Sequence, residues 1–187
     1  MRIFLKTLTA VAGGILLGLC VTWLTVVRGA GMGGDVTDGP WRTSLLTGST
    51  QSGMALRATV ALHGLFALNR SETIYYTAVA GSEGHKLDGA KCYRIEGRDP
   101  PARWWSITAY GTDDFLIPNR FNRYSVSRNS VSRDRAGVFE ATVSPNGDIA
   151  TAPGAFSLTL RLYNPDPNVA ADPAHVALPE IRESGCP

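Results

Sequence analysis

This 187-residue chain predicts a mainly β domain, an antiparallel sandwich or barrel, with one amphipathic helix in front of it and a single membrane-spanning helix before that. Three observations carry the prediction. From Thr7 to Val27 the chain runs without a charge, and about 20 apolar residues cross roughly 30 Å of hydrocarbon as a helix. Between Met54 and Leu68 apolar residues recur at helical spacing. From Ile74 onward the period changes to two, with turn residues between the runs.

The first element, residues 1–28, reads as a transmembrane signal-anchor. Arg2, Lys6 and the amino terminus precede the apolar run and only Arg28 follows it closely, so the N-terminus stays in the cytoplasm and the rest of the chain enters the periplasm. The rival reading is a cleaved signal peptide. It requires a shorter apolar core ending in small residues, whereas Val27-Arg28-Gly29 makes a poor cleavage site. Ala10, Gly14, Gly18 and Thr22 recur every four residues and form a small-residue stripe suited to a homodimer or a partner helix in the bilayer.

Residues 29–52 read as a linker, with Gly29 to Gly39 a flexible spacer. Residues 53–187 form the periplasmic domain. Its helix carries Met54, Ala58, Leu62, Leu65 and Leu68 on one face, with Ser49, Thr50 and Ser52 as candidate N-caps. Strands follow at Ile74–Ala80, Lys91–Glu96, Trp104–Tyr110, Val138–Ser144 and Phe156–Tyr163, rich in β-branched and aromatic residues. In the last, Phe156, Leu158, Leu160 and Leu162 face one way and Ser157, Thr159, Arg161 and Tyr163 the other, which suits a sheet with one wet face. Asp88-Gly89, Asp99-Pro100-Pro101 and Pro145-Asn146-Gly147-Asp148 mark turns between them.

The net charge of +2 comes from the anchor's flanks. Three of the 18 basic residues lie there, leaving 15 against 16 acidic ones in the exported part. Neither charge nor compartment suggests nucleic acid. Cys20 falls within the expected span, so Cys92 and Cys186 are the two cysteines of the exported domain. In an oxidising compartment they are expected to pair and tie down the Pro-rich tail.

Several motifs occur in order: Tyr75-Tyr76-Thr77-Ala78; Leu87-Asp88-Gly89 with Tyr93; Trp104-Trp105-Ser106-Ile107-Thr108-Ala109-Tyr110; Ile117-Pro118-Asn119; Asn122-Arg123-Tyr124-Ser125; and Ala152-Pro153-Gly154-Ala155-Phe156 running to Tyr163. Over roughly residues 70–180 this resembles the domain of unknown function 1214 family. Many relatives carry a second domain, number 1254, ahead of it; here an anchor and one helix stand in that place, a short membrane-anchored form. Relatives often show Asn-Trp-Leu-Pro before the Ala-Pro-Gly segment, where this chain has Asp148-Ile149-Ala150-Thr151. The resemblance implies a jelly-roll-like β-sandwich and brings no settled activity.

The residues themselves show no compact chemistry. His63, His85 and His175 have no metal-ligand spacing, and no nucleophile elbow, phosphate loop or dinucleotide fingerprint occurs, so no metal or cofactor is expected. Trp104 and Trp105 are adjacent on a strand and point to opposite faces. One is core; the other stacks on a sugar or acyl group or covers the sheet. Tyr110, Asn119, Arg123, Tyr124, Arg161 and Tyr163 are the further candidates for a ligand site. Arg120, Arg128, Arg133 and Arg135 crowd one stretch, either a solvated loop or a contact for anionic lipid or anionic glycan. Two functions remain. One is a membrane-anchored envelope module that binds a ligand or partner or is structural; the other is an envelope hydrolase acting on a glycan, lipid or phosphate ester. The lack of a catalytic constellation favours the first.

Overall fold

The structure is a computed structural model that describes residues 2–24, 35–44, 53–54, 57–58, 61 and 68–186. Helix α1 (Arg2–Thr22) forms where the anchor is expected. From Ile3 onward its described side chains are exposed, among them Leu16 at 68% and Leu17 at 67%. Its uncharged part, Thr7–Thr22, covers 16 residues, or ~24 Å at about 1.5 Å per residue. Among the described residues no helix is long and apolar enough to cross a membrane. Thr25–Val27, the end of the expected span, lie outside them. So do His63 and most of the expected amphipathic helix with its caps; Met54, Arg57, Ala58 and Ala61 are helical.

The domain is two β-sheets over one core. The strands are β1 (Asp35–Asp38), β2 (Trp41–Ser44), β3 (Thr73–Ala78), β4 (Cys92–Arg98), β5 (Ala102–Gly111), β6 (Ser125–Ser127), β7 (Val138–Ser144), β8 (Ile149–Ala150), β9 (Phe156–Pro165) and β10 (Glu180–Ser184), with a short helix α2 (Pro167–Ala171) before the last. One sheet has the order β1-β2-β3-β9-β5-β6 and the other β10-β4-β7-β8. Neighbours are antiparallel except for β7 and β8.

Alternation in the long strands builds the core. Phe156, Leu158, Leu160 and Leu162 of β9 and Trp105, Ile107 and Ala109 of β5 point inward and are buried. Burying each Leu or Phe contributes about 1.5–3 kcal/mol. The opposite sheet meets them with Tyr93, Ile95, Phe139, Ala141 and Val143. Trp105 packs on Phe139 with ring centroids 4.6 Å apart, and Tyr93 meets Phe156 edge-on at 6.0 Å.

All five expected strands form, Val138–Ser144 with the expected bounds and the other four shifted by up to two residues. Part of the expected linker does not stay a spacer: residues 35–44 make the β1–β2 hairpin. Gly39 supplies the positive φ (56°) that its two-residue turn needs. Trp41 is fully buried and donates its indole N–H to the Pro179 carbonyl at 2.7 Å, so distant packing, not local pattern, orders this stretch. The Pro-rich tail also becomes a strand. β10 pairs with β4 over Glu180–Ser184, and the expected Cys92–Cys186 disulfide closes it.

Candidate functional site

The inward set of β9 forces Ser157, Thr159, Arg161 and Tyr163 onto the outer face of the six-stranded sheet. Register then decides their company. Tyr163 lies between Thr73 and Trp104, Arg161 between Tyr75 and Ser106, Thr159 between Thr77 and Thr108, and Ser157 beside Tyr110. Trp104 packs on Tyr163 with centroids 5.1 Å apart. The Arg161 guanidinium lies 5.8 Å from the Tyr75 ring centre and 5.4 Å from that of Tyr110, within cation–π range. Its Nη2 donates to the Tyr110 hydroxyl at 2.8 Å and its Nη1 to Thr108 Oγ1 at 3.4 Å.

Beneath this aromatic rim lies a floor of hydroxyls. Thr73, Ser106, Thr108 and Thr159 are buried although they face outward, and among the described residues the Thr73 hydroxyl has no hydrogen-bond partner. Burial, with Tyr163 beside it, pushes the Tyr75 hydroxyl above the ordinary tyrosine value against the pull of Arg161. An aromatic, hydroxyl-lined face around one guanidinium suits stacking plus hydrogen bonding to a ligand. Four sequence candidates therefore converge here: Trp104, Tyr110, Arg161 and Tyr163. Tyr75, Thr73 and Thr108 escaped sequence reasoning, which places Thr159 outward but not in a site. Outward alternation from Ile74 would have flagged Tyr75, but only the β3–β9 register places it on Arg161.

Trp105 is not on this face. It is fully buried, and its indole N–H donates to Asp99 Oδ1 at 3.0 Å. Asp99 also takes Arg133 Nη2 at 2.7 Å and lies 3.5 Å from Arg128 Nε. Burial disfavours the Asp99 charge, but hydrogen bonds from Arg133 and Trp105 and the two Arg charges outweigh it, holding the carboxyl below its usual range. Arg128 Nη1 further donates to the Ala102 and Arg103 carbonyls, and Arg133 Nη2 to that of Arg128. These two arginines lash the segment after β6 to the β4–β5 corner, a structural task that a solvated-loop reading does not anticipate. Arg135 stays exposed.

Asn119, Arg120, Arg123 and Tyr124 lie in the connection from β5 to β6, where the Tyr124 carbonyl accepts the Ala109 N–H at 3.2 Å. Asn119 Oδ1 accepts the Phe121 and Arg123 backbone N–H groups, folding the loop. Arg120 and Arg123 lie 4.6 and 5.3 Å from the Phe121 ring centre. Arg123 Nη1 reaches the Asn146 and Gly147 carbonyls of the β7–β8 turn. The Tyr124 hydroxyl donates to Asn122. A cleft of about 440 Å³ beside them is lined by Arg123, Ser125, Ser130, Ser132, Glu140 and Asp148 among others. Its carboxylates are engaged: Glu140 by Arg94 at 3.1 Å, and Asp148 by the Thr142 backbone and hydroxyl.

His175 Nδ1 meets Asp172 Oδ2 at 2.9 Å on an exposed segment, and His85 is exposed near Glu83. Among the described residues no group of three or more His, Cys, Asp or Glu side chains could hold a metal.

The remaining motifs are structural. Gly89 N–H donates to the Gly154 carbonyl at 2.8 Å, and Asp88 Oδ1 accepts the Ala90 and Gly154 N–H groups. Those backbone bonds hold the Asp88 carboxyl below its ordinary value. The Tyr93 hydroxyl accepts the Asp88 N–H, and Thr151 donates to the Gly89 carbonyl. Leu87-Asp88-Gly89 and Ala152-Pro153-Gly154 thus form one junction tying the entry of β4 to the entry of β9.

No curated protein matches the chain. The fold is similar to a crystal structure of the VPA0106 protein from Vibrio parahaemolyticus, at 22% identity and a TM-score of 0.60, over 73% of this chain. The chain spans 36% of that protein's length. An uncharacterized protein from Burkholderia cenocepacia aligns at 15% identity and a TM-score of 0.41, over 60% of this chain and 29% of that one. The family described as "Protein of unknown function (DUF1214)" matches residues 72–167, the stretch from the start of β3 to the end of β9 that contains both the junction and the aromatic face, and the chain belongs to it.

Proposed function

We propose that this protein is a non-catalytic module of the bacterial cell envelope, tethered in the inner membrane by the N-terminal segment 1–28 with its β domain in the periplasm, and that it binds a ligand on the outer face of the six-stranded sheet. The observation that carries the binding reading is the set of half-buried rings of Tyr75, Trp104, Tyr110 and Tyr163 around Arg161 over buried hydroxyls. The tether is supported by the exposed apolar side chains of α1, and the export by the Cys92–Cys186 bridge. A Cβ at Gly14 or Gly18 would meet nothing within 4 Å, which leaves that stripe open to a second helix. The chain changes sheet from β3 to β4, β4 to β5, β6 to β7, β8 to β9 and β9 to β10, the weaving that supports a jelly-roll-like sandwich. Arg120 and Arg135, exposed, remain for an anionic lipid or glycan.

The test is a panel of sugars and acyl compounds titrated into the full chain in uncharged detergent, read by the Trp104 indole N–H resonance. Binding should vanish in Trp104→Ala. A panel with no binder, or a binder that Trp104→Ala retains, would sink the assignment. The alternative, a hydrolase acting on a glycan, lipid or phosphate ester, would centre on the 440 Å³ cleft with Glu140 and Asp148. Turnover of model esters or glycosides that Asp148→Asn abolishes would favour it.

A further inference from the structure

We propose that Arg161 is the anchor of an anion site: the outer face takes an organic ligand that presents a carboxylate to the Arg161 guanidinium and lays a ring on Trp104 and Tyr163. This deepens, and rests on, the ligand-binding reading. Arg161 differs in its company from Arg94, Arg128 and Arg133. Arg94 meets Glu140, and Arg128 and Arg133 share Asp99. Arg161 is half-buried, and among the described residues no carboxylate pairs with it. Its recorded partners are two neutral hydroxyls, one of them at the long distance of 3.4 Å. A guanidinium has five donors, so among the described residues most of its fork is uncommitted.

The surroundings hold that charge in place without neutralising it. Its cross-strand neighbours are Tyr75 and Ser106, and the next positions along the face are Thr77, Thr108, Thr159 and Thr73. None of them is acidic. The Tyr75 and Tyr110 rings lie 5.8 and 5.4 Å from the guanidinium, and a planar fork matches a carboxylate bidentately. The Trp104–Tyr163 pair, one row away and tilted 54° to each other, offers apolar ring faces for the rest of the ligand.

The experiment titrates benzoate, glucuronate and inorganic phosphate, with benzamide and methyl glucoside as uncharged counterparts, into the full chain in uncharged detergent. Nitrogen-edited spectra read the Arg161 Nε–H and Trp104 Nε1–H resonances, assigned from Arg161→Lys and Trp104→Phe. Benzoate and glucuronate should shift both signals, and added salt should compete. Phosphate should shift Arg161 alone. Arg161→Gln, which keeps a hydrogen-bonding head for Tyr110, should weaken carboxylate binding at least tenfold and leave uncharged ligands unaffected. Arg161→Lys should recover part of the loss. Equal shifts from the uncharged counterparts, insensitive to Arg161→Gln, would overturn the anion site and leave the ligand-binding reading standing. Shifts from phosphate without any from the carboxylates would overturn the ligand class. Silence of both resonances toward every compound would overturn the site and the binding reading together.

Discussion

Removing the Cys92–Cys186 bridge tests how the C-terminal strand is held. The bridge spans 94 residues, for which the chain-entropy relation gives about 4.7 kcal/mol as an upper figure. What it protects is visible. β10 contributes fully buried Ile181 to the core, and the residue before it, Pro179, accepts the Trp41 indole N–H and packs against Gly97. If β10 detaches, Ile181 is exposed, the buried Trp41 donor loses its partner, and the β1–β2 hairpin loses its anchor. Yet β10 keeps its pairing with β4 from Glu180 to Ser184, so the bridge need not be essential for folding. The expected loss on Cys92→Ala/Cys186→Ser is therefore about 2–4 kcal/mol, or roughly 5–15 °C in melting temperature for a chain of this size. Urea unfolding of the full chain in uncharged detergent, oxidised against reduced and against the double variant, measures it. The reduced wild type and the double variant should agree. A difference below about 1 kcal/mol, or two alkylatable thiols in the denatured, unreduced protein beyond Cys20, would refute the reasoning.

Three further outcomes are expected. Gly89→Ala should cost about 2–3 kcal/mol in denaturant unfolding, because its Cβ would lie 1.9 Å from the Ala152 carbonyl oxygen; a loss under 0.5 kcal/mol would show that the junction yields easily. Asp99→Asn should cost about 1–2 kcal/mol at neutral pH. The folded carboxyl is held below its unfolded value, so its contribution is complete above about pH 4 and fades as pH falls through the lowered folded value. A wild-type-to-variant gap that stays constant from neutral pH into this acid range would contradict the Asp99 account. Alkaline phosphatase fused after Pro187 should be active if the C-terminus is periplasmic; an inactive fusion with a protease-protected C-terminus would reverse the topology.

Where alternation extended over seven residues or more, the sequence was readable. Val138–Ser144 has the same bounds in the fold as in the sequence, and the inward stripe of β9 correctly sends Arg161 and Tyr163 outward. Short strands were not readable. β1 and β2 have four residues each and β6 three, too few for a period-two signal; β2 is held by β3 and by Pro179 far along the chain, β1 by its hairpin neighbour β2, and β6 by β5. Val126 of β6 is buried beneath a Ser-Val-Ser-Arg repeat that reads as loop.

The same reason explains the two kinds of arginine. Composition alone makes Arg128 and Arg133 look free, because the carboxylate that binds both lies at Asp99, in a different turn. It makes Arg161 look equally ordinary, because nothing local says that its cross-strand neighbours will be Tyr75 and Ser106 and not an acid. Charge near an arginine in sequence is a poor guide to charge near it in space. In a sheet the relevant neighbours are set by register, and a shift of one residue would move Tyr75 to the core face and Ile74 outward. Register here follows from Ile74, Tyr76 and Ala78 having to share the core with Leu162, Leu160 and Leu158. The apolar stripe that folds the sheet is thus also what gathers the aromatic rings around Arg161.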